Sequence, residues 1–175
     1  MLEFRQFDED SAKVIRPWFG DPETKRWLGD ESWVDMELRQ QKDSIGTEFR
    51  GVKMLARYGW VVYENDNPVG YIDAGIGDKY VKYGGDDQNG PIYLEIENVL
   101  SSGIAFLVNP SERGRGIGVE MIKTLIERPE YKDVRIFEAG VEPENTGSIR
   151  ALEKAGFRSN YIKDFEGVYY FLLRR

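Results

Sequence analysis

The most restrictive feature of the chain is a change of period between residues 104 and 126. Ile104 to Val108 is an apolar run with strand character, and Pro110 ends it. Arg113-Gly114-Arg115-Gly116-Ile117-Gly118 follows, after which Met121, Ile122, Leu125 and Ile126 recur at helical spacing. A strand that passes through a glycine-rich turn into a helix presents several unpaired backbone N–H groups in one direction. The helix dipole adds positive potential there, and the glycines let a ligand approach the backbone closely. Arg113 and Arg115 add formal charge. The segment therefore reads as a cradle for a pyrophosphate. Its spacing, Arg-x-x-Gly-x-Gly, fits neither the Walker A pattern nor the dinucleotide fingerprint. A plain strand-to-helix turn with solvated arginines is the competing reading.

A second segment bears on that choice. Val134 to Val141 reads as a strand, followed by Glu142-Pro143-Glu144-Asn145-Thr146-Gly147-Ser148 and then Ile149-Arg150-Ala151-Leu152-Glu153-Lys154-Ala155-Gly156-Phe157. Asn145 or Thr146 can cap a short helix, Ile149, Leu152 and Ala155 form its apolar stripe, and Gly156 stops it.

These two segments, in this order, resemble the GCN5-related N-acetyltransferases (the GNAT superfamily). The likeness covers residues 103–158. The early stretch Trp18-Phe19-Gly20-Asp21-Pro22-Glu23 with Arg26-Trp27-Leu28 resembles two branches of it, the ribosomal-protein N-terminal acetyltransferases and the aminoglycoside 6′-N-acetyltransferases. The resemblance implies an α/β (α+β) fold, a mixed and largely antiparallel sheet flanked by helices, spanning residues 1–175 as a single acyl-CoA N-acyltransferase domain. It implies direct transfer of an acetyl group from acetyl-CoA to a primary amine. The backbone of Phe106, Leu107 and Val108 would hold the pantetheine arm and acetyl carbonyl. Backbone N–H groups of Arg113, Gly114, Arg115, Gly116, Ile117 and Gly118 would hold the pyrophosphate. Asn145 would bind the pantetheine side or an ordered water.

The chain departs from the family in one place. Many members have a tyrosine seven residues after the asparagine as general acid, and here that position is Leu152. The ribosomal-protein branch tends to share this leucine, with a serine three residues after the asparagine. Ser148 is therefore the candidate donor to the leaving thiolate; a helix first-turn residue that merely satisfies backbone is the alternative. Tyr161, Tyr169 and Tyr170 are further candidates.

Composition limits the rest. The chain has 175 residues with no cysteine and no histidine. No disulfide, thiolate or imidazole metal site or cysteine nucleophile can exist, and no imidazole can act as base, so no metal is expected. Deprotonation of an ammonium falls to a carboxylate or a water chain, with Asp73, Glu95 and Glu97 as candidates. In the 6′-N-acetyltransferase branch an aspartate on the cofactor-binding strand is a candidate base; the nearest position here, Ala105, cannot serve, which counts against an aminoglycoside acceptor. The charge is uneven: residues 64–98 hold eight carboxylates against two lysines, six of the net −7. Nucleic acid is not expected as a partner, and a cationic acceptor is favoured, with Trp18, Trp27, Trp33, Tyr71, Tyr80, Tyr83 and Tyr93 as aromatic faces for ammonium groups. A solvated acidic surface is the bland reading of the same charges. No membrane span or leader pattern is visible, which suggests a cytoplasmic protein. A homodimer is an expectation by analogy alone.

Along the remainder, Leu2-Glu3-Phe4-Arg5 reads as a first strand, and Lys53 to Tyr63 and Val69 to Ile76 as a hairpin. Residues 77–92 read as a long loop with room for a short strand around Tyr80–Tyr83, and Ile92 to Ile96 and Ser101 to Val108 are apolar enough for sheet. Ser32 with Asp35 marks a helix start, and residues 167–173 close the chain as a strand. Two other functions compete with catalysis: a regulatory module that binds CoA without turnover, suggested by Leu152, and a dinucleotide-binding oxidoreductase, opposed by the glycine spacing.

Overall fold

A computed structural model describes residues 1–175. In chain order the elements are β1 (Leu2–Gln6), α1 (Glu9–Ile15), α2 (Pro22–Leu28), α3 (Ser32–Asp43), β2 (Glu48–Phe49), β3 (Val52–Glu64), β4 (Asn67–Gly77), β5 (Tyr80–Asp87), β6 (Gly90–Glu97), β7 (Ser101–Val108), α4 (Ile117–Ile126), β8 (Ile136–Val141), α5 (Thr146–Lys154) and β9 (Tyr169–Arg174). The main sheet runs β1-β3-β4-β7-β8-β9, with β2 paired to β3. Every pairing is antiparallel except β7 with β8. The mixed, helix-flanked α+β sheet expected from the sequence is the one observed.

β4 is the spine. Val69 to Gly77 is buried on both faces, so the strand reads as nearly continuous apolar and glycine residues rather than alternating ones. One face of the sheet packs on α4 and α5 through Ile72, Ala74, Phe137 and Ala139 against Met121, Ile122, Leu125 and Leu152. The other face packs on α1 and α3 through Val61, Tyr71 and Leu107 against Ile15, Phe19 and Val34. Side chains alternate between these two cores along each strand.

Local signals set the helix ends. Asp8 and Ser11 form a capping box at α1, each side chain accepting from the other's backbone N–H at 2.8 Å. α5 begins at Asn145, whose side chain accepts from the Ser148 N–H. It ends in a Schellman motif, with Phe157 N–H donating to Leu152 O and Gly156 N–H to Glu153 O, both at 3.0 Å. Gly156 adopts the required left-handed conformation, φ 102°.

The sequence reading finds parts of two further strands, around Tyr80–Tyr83 and Ile92–Ile96, but not their length or their pairing. Residues 77–92 are not a loop: β5 and β6 form a separate two-stranded ribbon, turning at Gln88-Asn89 with Asp87 opposite Gly90. Gly84, Gly85, Asp86 and Asp87 are poor strand formers. Cross-strand pairs such as Tyr83 with Tyr93 build the ribbon where local propensity does not.

Candidate active site

The site is built around an interruption in the sheet. β7 and β8 pair only at Ser101–Ile136, Ser102–Phe137 and Gly103–Glu138. Beyond Gly103, Ile104 to Val108 has β4 on one edge and no strand on the other. The backbone of Phe106, Leu107 and Val108 on that edge is free to bind something that is not a strand.

On the α4 side of this opening lies the glycine turn. Gly116 is the N-cap of α4 with φ 80°, and a Cβ there would meet nothing within 4 Å. No side chain caps the first N–H groups of α4, and the surface beyond Gly116 is open. Gly118 approaches Phe106, Val108 and Ala151 to 3.5–3.6 Å from its ideal Cβ position, so the turn, β7 and α5 converge. The arginines behave otherwise than expected. Arg113 donates to Asp21 at 2.9 Å, Glu23 at 3.0 Å and Thr24 Oγ1 at 2.9 Å. Arg115 is held by Glu64 at 2.6 Å and by Glu112. Both charges are already balanced by carboxylates, so the binding potential of the turn rests on backbone N–H groups and the helix terminus.

On the opposite face, the opening meets a cleft of about 1430 Å³. Its floor carries Gly75, Gly77, Gly103, Glu138 and Leu172; its walls come from the end of α3, β2, the β5–β6 ribbon and residues 158–165. A Cβ on Gly103 would meet nothing within 4 Å, so the space over the last β7–β8 pair is empty. Beside it stands Glu138, which forms no ion pair and no side-chain hydrogen bond. Burial pushes its carboxyl up to about 7. Burial, reinforced by the Glu138 charge, raises the neighbouring Tyr80 and Tyr170 hydroxyls to about 12.

The four residues singled out for catalysis occupy different places. Ser148 sits half-buried in the first turn of α5, its N–H capped by Asn145 and its hydroxyl donating to no protein group. Asp73 is buried on the α3 face of β4 but does not line the cleft. It accepts from Arg57 at 2.7 Å, and Arg57 also lies 3.4 Å from buried Glu37, which accepts from Tyr71 at 2.8 Å. With one cation between two buried carboxylates, burial and then the Glu37 charge push Asp73 well above the usual carboxylate range. Glu95 lines the cleft, paired to Lys82 at 3.5 Å, whereas Glu97 lies outside it, paired to Arg174 at 2.7 Å.

Other expectations are revised in the same way. Leu152 is fully buried in the core, so the general-acid position of many relatives here points away from any ligand. Tyr170 lines the cleft, while Tyr161 donates to Glu153 and packs on Tyr169 and Phe171. Trp18 and Tyr71 are core residues; Tyr80 and Tyr83 do line the cleft. The acidic excess of residues 64–98 is largely spent on Arg115, Arg5, Arg57, Lys79, Lys82 and Arg174. Glu138 escapes sequence reasoning, although a lone acid inside the apolar run 134–141 is a signal that could have found it.

Comparison with known proteins decides the family. A family model described as acetyltransferase (GNAT) domain matches residues 1–158. The chain belongs to the GNAT acetyltransferases. Its likeness to individual GNAT members is partial. It is 51% identical over 47 residues to an L-2,4-diaminobutyric acid acetyltransferase of Shouchella clausii, covering 27% of this chain and about a quarter (26%) of that protein. It is 22% identical over 155 residues to an uncharacterized N-acetyltransferase of Bacillus subtilis, covering 88% and 83% of the two chains. The fold is similar to that of aminoglycoside acetyltransferase AAC(6′)-Ib in complex with coenzyme A, with a TM-score of 0.69, 20% identity, and 100% and 95% of the two chains covered.

Proposed function

We propose that the protein transfers the acetyl group of acetyl-CoA to a primary amine, of a small cationic molecule or a protein N-terminus, that enters through the cleft. The observation that carries the reading is the end of β7–β8 pairing at Gly103 and Glu138, which joins the backbone cradle on one face to an open cleft with an unpaired carboxylate on the other. The residues fit the donor: the turn from Arg113 to Gly118 offers backbone N–H groups to the pyrophosphate, and the free edge of Phe106 to Val108 offers the same to the pantetheine and acetyl oxygens. A backbone donor to the developing oxyanion is worth about 3 kcal/mol in acyl transfer.

Glu138, rather than Asp73, Glu95 or Glu97, is the base this geometry favours. Its carboxylate takes the proton of the incoming ammonium. The amine nitrogen then forms the C–N bond as the C–S bond breaks, and its second surplus proton is the one that reaches the sulfur, relayed through a hydroxyl that ends protonated as it began. Ser148 supplies the proton to the leaving thiolate, with Tyr170 as the second candidate on the cleft side. Two GNAT proteins similar to this chain carry names that specify amines, an amino acid with a second amino group and an aminoglycoside.

Release of free thiol from acetyl-CoA tests the reading, measured across peptides with varied N-termini, amino acids, polyamines and aminoglycosides. Turnover with one class, abolished by Glu138→Gln, is the expected result. Tight acetyl-CoA binding with no turnover on any amine would refute the transfer reading.

A further inference from the structure

The charges of the cleft sort into paired and unpaired. Arg57 is bound by Asp73, Arg50 by Glu166 at 2.7 Å, Lys82 by Glu95 and Arg174 by Glu97. The Asp164 carboxylate accepts from the N–H groups of Glu166 and Val168. Three lining side chains remain with no partner: Glu138, Arg158 and Lys163.

Two of them lie in one row. Arg158 and Leu172 exchange both backbone hydrogen bonds at 2.8 Å. Leu172 is the register partner of Glu138, which pairs with Gly103. Residues directly opposed across strands present their side chains on the same face. Gly103, Glu138, Leu172 and Arg158 therefore cross the cleft floor in line. The acid stands at the opening of the sheet, the backbone of Arg158 lies two strand spacings away, about 10 Å, and Leu172 lies between them.

We propose that the acceptor carries a carboxylate as well as its reacting amine, as a diamino acid does. The ammonium meets Glu138, the aliphatic spacer lies over Leu172, and the carboxylate is held by Arg158, with Lys163 beside it. A guanidinium matches a carboxylate with two parallel hydrogen bonds. A polycation would instead bring its second ammonium against two unpaired cations. This inference rests on the amine-acetylation reading and narrows its acceptor.

The test compares matched acceptors on the full chain with acetyl-CoA: L-lysine and L-2,4-diaminobutyrate against their decarboxylated counterparts, cadaverine and 1,3-diaminopropane. The carboxylated member of each pair should have a kcat/KM at least about tenfold higher, the weight of one charge-assisted contact. Arg158→Gln should remove that advantage through KM: the carboxylated acceptors weaken, while the diamines, relieved of one repelling cation, turn over at least as well as on wild type. Arg158 is exposed and forms no side-chain hydrogen bond or ion pair, so the fold should tolerate the change. Calorimetric binding of the carboxylated acceptor to wild type and Arg158→Gln supplies a readout independent of turnover. Diamines turned over as well as or better than diamino acids, or an equal effect of Arg158→Gln on both, would overturn the carboxylate proposal and leave acetyl transfer standing. Silence with every amine together with no calorimetric binding would overturn both.

Discussion

Glu138 makes two behaviours of the protein depend on pH in opposite senses. As base it acts ionised, so kcat/KM should rise as pH passes through about 7, where burial places its titration, and flatten above. Glu138→Gln should lower kcat by about 10²–10⁴ and abolish that rise. For stability the sign reverses. Because its folded value is raised, the native state holds the proton longer than the unfolded chain. Its contribution is favourable at low pH and is lost as pH climbs through 7. Glu138→Gln should therefore be more stable than wild type at pH 8, by about 1–3 kcal/mol, and equal to it near pH 4, as denaturant midpoints would show. Ser148 makes a narrower claim. Ser148→Ala should lower turnover with little change in acetyl-CoA affinity, and equal rates in the two proteins would remove the hydroxyl from the mechanism. The roles of Ser148 and Asn145 were expected from a motif, whereas Glu138 required knowing which strand is split and where. Burial and pairing of a strand residue are set by its neighbours, and local period does not contain them.

At the level of elements, α4 and α3 carry separate duties. The start of α4 is open, so Gly116→Trp should fill the cradle. It should abolish acetyl-CoA binding in a titration while the chain still unfolds cooperatively, at a cost of about 1 kcal/mol for a side chain at positive φ. α3 is tied to the sheet by Glu37, Arg57 and Asp73. Arg57→Met would leave two buried carboxylates without their cation and should cost about 3–5 kcal/mol at pH 8. The loss should shrink toward pH 5 as Asp73, raised by burial and the Glu37 charge, takes up its proton, which urea titrations at the two pH values would reveal. The strand–turn–helix of β7 and α4 and the cap and stop of α5 were legible because backbone chemistry dictates them: glycine at positive φ, asparagine at an N-cap. The directions of Arg113 and Arg115 were not, since a long side chain goes to whichever carboxylate the fold brings near, here Asp21 and Glu64. The extent of the β5–β6 ribbon escaped for a related reason, its stability lying in pairs across strands.

Across the whole molecule, the apolar interior is divided by the sheet into two cores, one under α4 and α5 and one under α1 and α3. The three β7–β8 pairs hold β8 and β9 to the rest of that sheet. A short parallel ladder is a weak seam, and regions with few cross-links open locally long before the whole chain unfolds. Amide protons of Ala139 to Val141 should thus exchange with deuterium well ahead of those in β3 and β4. A donor lying in the split would supply the hydrogen bonds that a missing strand would have made. It should slow exchange along Ile104 to Val108 and raise the melting temperature with concentration, as any ligand confined to the native state does. On the proposed reading, the gap that receives the donor would also be the place where the free protein is least tightly cross-linked, and the donor would tighten it by binding.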